Sequence, residues 1–309
     1  MKQPSAPAGS VPARVIAAHG RRLTVLTDDG RTHGAEVFGR GLQVVCGDRV
    51  TCRHDVRHDA WHVLAVLPRR SVLHRSNLHG RSEPVAANVD LLLVVLAAVP
   101  ATDPFVIDRY LAAAASAPAE ALLVLNKADL PLPETLQAEL ATWRAAGIAQ
   151  LACSTRDDAG LTVLRTRLQG HTALMVGQSG VGKSSLLRAL LPGNEARVGE
   201  LMRGNEGRHT TTATTLHALP DGGELLDSPG VRDFAPALER LEPRALGFVE
   251  FAPLVAACRF ADCRHYDEPD CAVRAAVAAG QCSARRYESY RRLRRLYEDH
   301  CRRLRSGGR

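Results

Sequence analysis

From residue 13 the chain alternates apolar and polar positions in short runs, at 13–17, 22–27, 31–37, 49–53 and 61–66. Each run reads as a strand with one face buried. Turn signals such as Asp28-Asp29-Gly30 and Cys46-Gly47-Asp48 separate them. Short strands at this spacing predict a small β-barrel of the oligonucleotide-binding type. Residues 68–84 (PRRSVLHRSNLHGRSEP) lose the period and read as a polar linker. At residue 85 the pattern changes. Residues 89–97 (VDLLLVVLA) are a near-continuous apolar run, as in a strand buried on both faces. Helical periods at 107–117, 134–146 and 160–168 then alternate with strand-like runs at 120–126, 149–154 and 172–176, and two more strands are expected at 214–218 and 223–227. That alternation predicts a doubly wound α/β domain, which binds ligands at the carboxyl ends of its strands. The expected organisation is a disordered lead at 1–12, a barrel at 13–70, a linker at 71–84, the α/β domain at 85–245 and a helical C-terminal module at 246–309.

Composition narrows the class. No run of eighteen uncharged apolar residues occurs in the 309, and the longest, 91–101, has the length of a strand, so no membrane span is expected. The opening MKQPSAPAGSVPAR lacks an apolar signal core, and a cytoplasmic protein is the expectation. Of eight cysteines, Cys46, Cys52, Cys153 and Cys301 are scattered, whereas Cys258, Cys263 and Cys271 crowd together, which favours a metal site over a disulfide framework. A net charge of +7 suggests a polyanionic partner, or the arginine usage of a GC-rich genome.

Residues 177–184 read GQSGVGKS and fit G-x-x-x-x-G-K-[ST]. The backbone N–H groups of Gly177, Gln178, Ser179, Gly180, Val181, Gly182, Lys183, Ser184 and Ser185 are expected to wrap nucleotide phosphates. A strand before the loop and a helix after it supply the context, because the helix dipole adds to the amides. Lys183 would reach the β- and γ-phosphates and the Ser184 hydroxyl would hold Mg²⁺. At the end of the strand 120–126 stands Asn126-Lys127-Ala128-Asp129. The Asp129 carboxylate can accept from N1–H and the exocyclic amine of guanine, a donor pair that adenine lacks. Asn126 would brace the loop, the Lys127 stem would lie over the base, and Ser154 in Cys153-Ser154-Thr155 would support the guanine carbonyl. Asp227 in Asp227-Ser228-Pro229-Gly230 would sit beside Mg²⁺ through water, and the Gly230 amide would sense the γ-phosphate. In Gly207-Arg208-His209-Thr210-Thr211-Thr212, Thr211 or Thr212 would close the Mg²⁺ shell.

The order of these motifs is unusual. The base-reading NKAD precedes the phosphate loop, as if the conventional ends of the sheet were joined and new ends opened elsewhere. That order resembles the circularly permuted GTPases. Together with VAANVD, GQSGVGKSSLL, GRHTTT, DSPGVRDF and CRFADCRHYDEPDC, it resembles the ribosome small-subunit-dependent GTPase A family over about residues 13–297. The resemblance implies an oligonucleotide-binding barrel, a permuted GTPase core and a C-terminal zinc domain. It also implies late assembly of the small ribosomal subunit, with hydrolysis stimulated by that subunit and its rRNA.

Position 231 is valine, so the glutamine that orients water in many GTPases is absent there. His209 is the best internal candidate for that role, and the resemblance points to the same residue. Cys258-x₄-Cys263-x-His265-x₅-Cys271 is a closed Zn²⁺ set with no open position for chemistry. Residues 284–304 place Tyr287, Tyr290, Leu293, Tyr297 and Leu304 at helical spacing, with Arg285, Arg286, Arg291, Arg292, Arg294, Arg295, Arg302, Arg303 and Arg305 around them, for rRNA phosphates or for solvent. The expected function is a monomeric GTP hydrolase acting in small-subunit maturation. The alternative is a GTP-gated rRNA-binding checkpoint in which hydrolysis, to GDP and phosphate, is only a slow reset.

Overall fold

The computed structural model describes residues 9–39, 41–76, 81–191, 214–227 and 237–306. Five strands, β1 (Val11–His19), β2 (Arg22–Thr27), β3 (Thr32–Val37), β4 (Arg49–Asp55) and β5 (Ala60–Val66), wind in the order β1-β2-β3-β5-β4, and β4 returns to pair with β1. Alternate positions turn inwards, so Val15, Val25, Val50, Cys52 and Val63 fill a small dry core.

The connector departs from the expected linker. Val72–Ser76 (β6) and Ser82–Ala87 (β7) form an antiparallel hairpin with a bulge between Leu73 and His74. Its apolar positions are few but placed on one face: Leu73 and Ala86 join the core of the next domain. The polar residues between them and Pro84 hide that alternation in the sequence.

The α/β domain runs β8 (Leu91–Ala97), α1 (Pro104–Ser116), β9 (Glu120–Asn126), α2 (Glu134–Ala145), β10 (Ala149–Ala152), α3 (Asp158–Leu168), β11 (Thr172–Val176), α4 (Lys183–Leu190), β12 (Thr214–Ala218) and β13 (Glu224–Asp227). The sheet order is β10-β9-β8-β11-β13-β12, parallel except for β12. Every residue of β8 is buried, one face under α1 and α2, the other under α3 and α4. Strand order reverses between β8 and β11, which opens a crevice at their carboxyl ends. The outer edge of β12 is not left bare: it pairs with β1 of the barrel, Ala17 opposite Thr215 and Ala18 opposite Thr214.

Residues 237–306 form short turns, α5 (Ala272–Ala278) and the 23-residue α6 (Ala284–Ser306). Phe248, Phe251, Val273, Tyr290 and Leu293 make their core, which also takes Phe105 and Ala112 from α1. The C-terminal module therefore shares its core with the α/β domain.

Candidate functional site

The phosphate loop leaves β11 at Gly177, whose φ is +146° and where a Cβ would lie 2.2 Å from the Val95 carbonyl oxygen. Only glycine lets the loop lie against β8 there. Gly182, at φ +97°, caps α4 without a side-chain acceptor, and a Cβ on it would strike the Asn126 amide nitrogen. The first amides of α4 thus face the crevice, aligned with the positive end of its dipole. Lys183 Nζ donates to the carbonyls of Gly177 at 2.5 Å and Gln178 at 2.7 Å, which holds the ammonium across the mouth of the loop. Gln178 Oε1 is buried and accepts no hydrogen bond from the described residues. Ser184 and Ser185 lie in the first turn of α4.

The base-reading loop is tied to the phosphate loop by its own side chains. Asn126, 2% exposed, donates from Nδ2 to the Val181 carbonyl at 2.8 Å. Lys127 Nζ donates to the carbonyls of Gly180 at 2.9 Å and Val99 at 2.8 Å. Lys127 sits at φ +56°, a conformation disfavoured for a side-chain-bearing residue and maintained by these contacts. The Ala128 amide donates to the Cys153 carbonyl at 3.1 Å, which links the loops after β9 and β10.

Asp129 is held differently from the simple expectation. Ser154 Oγ donates to Asp129 Oδ1 at 2.6 Å, and Arg156 Nη1 donates to Oδ2 at 3.2 Å. Ser154 therefore orients the carboxylate here. The Ser154 bond, with help from the Arg156 charge, keeps the Asp129 carboxyl below the ordinary carboxylate range. Arg156 was not legible as a site residue; the sequence signal was only its place two residues after Ser154.

Asp227 ends β13 directly opposite Thr215, which faces Ala17 of the barrel on its other side. His217, two residues along, accepts from or donates to Thr215 Oγ1 at 3.0 Å. Burial lowers its imidazole, against the pull of Asp227. A hydroxyl at Ser184 and a carboxylate at Asp227 are hard oxygen donors, suited to Mg²⁺. Thr211, Thr212, His209, Gly230 and Val231 lie outside the described residues.

The structure brings the four candidate metal ligands together. The donor atoms of Cys258, Cys263, His265 and Cys271 all lie within 4.8 Å of one another. His265 Nδ1 is 3.6 Å from Cys258 Sγ and 3.3 Å from Cys271 Sγ. Zn–S bonds near 2.3 Å imply tetrahedral edges of roughly 3.5–3.8 Å, so the set fits that ion. Burial raises the Cys263 and Cys271 thiols, and binding a cation there would release their protons. Glu268 braces the turn: its carboxylate accepts from the amides of Arg264 at 3.0 Å and Tyr266 at 2.8 Å, on either side of His265. Burial pushes the Glu268 carboxyl up, but these amides outweigh it and bring it down to about 2.

The arginines of α6 divide into two sets. Arg286, 1% exposed, pairs with Asp108 at 2.6 Å and clamps Glu250 through Nε and Nη2 at 2.6 and 2.7 Å. Arg285 also binds Asp108, which accepts a bond from Trp143 Nε1 at 2.8 Å. Arg294 is buried and donates to the Arg244 carbonyl at 3.0 Å. These three bond within the fold, whereas their sequence pattern suggests rRNA phosphates or solvent. Arg302, Arg303 and Arg305 remain exposed. In the barrel, Trp61 is no free stacking surface: His33 and His54, from the strands on either side, stack on it at 4.3 and 5.1 Å. The exposed ring is Phe38.

The pattern of the RsgA GTPase family matches residues 66–236. The small ribosomal subunit biogenesis GTPase RsgA of Chromohalobacter salexigens is 46% identical over 291 residues, covering 91% of this chain and 84% of the relative. The same protein of Azotobacter vinelandii is 43% identical, with 90% and 83% covered. This chain belongs to the RsgA GTPase family. The crystal structure of YjeQ from Thermotoga maritima superposes with a TM-score of 0.71 at 28% identity, covering 94% of this chain and 99% of that one. YloQ, described as a circularly permuted GTPase, shares the fold with a TM-score of 0.69 at 22% identity. The barrel, permuted core and helical C-terminal module are thus the architecture of these relatives. Among the described residues no helix is long and apolar enough to cross a membrane.

Proposed function

We propose that this chain hydrolyses GTP as a biogenesis factor of the small ribosomal subunit, with turnover stimulated by that subunit and its rRNA. The observation that carries the choice of guanine is the Asp129 carboxylate, held by Ser154 in the loop that Asn126 and Lys127 fasten to the phosphate loop. Asp129 pairs with N1–H and the exocyclic amine of guanine. Lys183 and the amides of Gly177 to Ser185 bind the phosphates. Ser184, with Thr211 or Thr212, would hold Mg²⁺, whose charge would offset that of the phosphates, and Asp227 would stand beside it. His209 orients the attacking water in place of the absent glutamine, and the Gly230 amide reads the γ-phosphate. Cys258, Cys263, His265 and Cys271 hold one structural Zn²⁺.

The subunit-biogenesis reading is supported by relatives of that name at 42–46% identity over most of their length. Single-turnover hydrolysis of GTP and ATP, with and without small subunits, tests it. Strong stimulation with GTP alone is expected, and equal rates with and without subunits would overturn the proposal. His209→Ala should still bind GTP and lose the stimulated turnover; unchanged turnover would remove His209 from the mechanism.

A further inference from the structure

A pocket of about 340 Å³ opens between β6, the C-terminal end of α1 and the turn at Leu238–Arg240. It lies at the lower end of the size range of small-ligand sites, about 300–1,000 Å³. Arg69, Arg70, His74 and Arg240 line it, and no carboxylate does. Their charges are unequally compensated. Arg69 is spent on Asp48, through Nε at 2.7 Å and Nη2 at 2.8 Å. Among the described residues the Arg70 guanidinium approaches one carboxylate, Asp90 Oδ2, at the long distance of 4.0 Å, while the Thr172 amide and His171 take Asp90 Oδ1. Arg240 reaches the Ser82 hydroxyl at 3.4 Å and has no carboxylate partner among the described residues. The hydroxyls of the wall are occupied, Ser71 on the Val89 carbonyl and Ser116 on the Ala112 carbonyl. The His74 ring is half-buried in the wall, beside the Val72 backbone. Burial lowers its imidazole first and the charges of Arg240 and Arg69 lower it further, against a hydrogen bond to the Val72 backbone and the charge of Glu239, which pairs with His300. The pocket therefore carries positive potential, with the Arg240 guanidinium lacking a carboxylate among the described residues and Arg70 held only by one long ion pair.

We propose that this pocket is a second phosphate-binding site, separate from the nucleotide crevice, and that it takes a backbone phosphate of RNA. Arg70 and Arg240 are exposed, and the donors are side-chain heads at the rim rather than a closed cradle of amides. Such a rim suits a phosphodiester on a passing strand better than a sequestered small molecule. The choice of RNA rests on the proposed ribosomal role; the phosphate chemistry does not. The Ala237 amide, at the end of the segment that follows Asp227, bonds the His74 carbonyl at 3.1 Å.

The test uses the full chain, zinc-loaded and saturated with Mg–GDP so that the crevice is filled. A labelled single-stranded oligoribonucleotide is titrated by fluorescence anisotropy across a salt series. In Arg70→Glu/Arg240→Glu, affinity near 0.1 M salt should fall about tenfold or more, and the log–log salt slope should flatten by about one to two. RNA should also move the His74 ring titration, followed by proton NMR, to higher pH, and should fail to do so in the double variant. Retained GDP affinity shows that the variant folds; Arg240→Ala, with half the charge change, should fall between it and the native chain. Inorganic phosphate is the second probe. Movement of His74 by phosphate but not by RNA overturns the RNA assignment, and no movement with unchanged RNA affinity overturns the site. None of these readouts uses hydrolysis, so a failure of subunit stimulation would be seen separately.

Discussion

Asp129 shows how one carboxylate can be both selective and robust. Ser154 gives it a hydrogen bond of 2.6 Å and lowers its pKa, so it stays ionised when guanine arrives. Asp129→Asn replaces an acceptor with a donor opposite N1–H, and GTP affinity should fall by at least about 100-fold in a competition assay with labelled GDP. The pH dependence has a definite sign. A carboxyl with a depressed pKa loses its charge only as pH falls through that lower value, so guanine binding in the native chain should persist to more acid pH than in Ser154→Ala. Nucleotide affinity measured between about pH 4 and 7 reads the difference; identical profiles would remove Ser154 from this role. Glu268 acts in the same way on a backbone, pinning the amides that flank His265. Glu268→Ala should release zinc to a chelator about tenfold faster, followed by a colorimetric indicator. The ligands of both sites were legible from residue type and spacing. Ser154's grip on Asp129 was not, because it depends on side chains meeting across loops, nor was Glu268's on its turn, because residue type and spacing do not show how the turn folds back onto its carboxylate.

At the scale of elements, α6 is the instructive case. Its apolar stripe at Tyr287, Tyr290 and Leu293 was readable from the 3.6-residue period, but its arginines look alike in sequence. Which of them are buried depends on where Asp108 of α1 and Glu250 stand. Arg286→Met removes a cation from two largely buried carboxylates and should destabilise the chain by about 3–5 kcal/mol in urea denaturation. Arg303→Met, on the exposed face, should change stability by less than about 0.5 kcal/mol. The hairpin β6–β7 teaches the converse. Its few apolar residues did not form a visible period, yet Leu73 and Ala86 have a core to enter once the α/β domain is folded beside them.

At the scale of the molecule, the parts are joined more closely than a chain of independent modules. The β1–β12 pairing makes the barrel an extension of the central sheet, and the shared core around Phe105 joins α1 to the zinc-type module. Chelation should therefore lower the melting temperature of the α/β domain as well as unfold the C-terminal module, giving a shifted common transition in calorimetry. A C-terminal transition lost alone, with the rest unmoved, would contradict the shared core. Two half-buried histidines add a pH dependence. Burial lowers His74 and His217 from the ordinary 6.5, so the unfolded chain binds protons that the folded chain refuses. Their contribution to stability is intact above about pH 6.5 and is lost as pH falls below it. Chemical denaturation at about pH 7.5 and 5.5 should show the loss, and His217→Gln should reduce its slope.

The sequence by itself determined the chemistry and the order of elements. GQSGVGKS, NKAD, DSPG and the Cys/His spacing name a phosphate loop, a guanine reader, a metal-side aspartate and a metal set, because each needs particular residue types at local spacing. Periodicity located most strands and helices for the same reason: it is a local signal. The tertiary structure alone decided that Trp61 is sandwiched, that Arg286 is buried, that β12 joins two domains, and that Arg70 and Arg240 line one pocket. Those outcomes depend on electrostatics and packing between residues far apart in the chain, and a one-dimensional pattern carries no record of which distant charge a given arginine will meet.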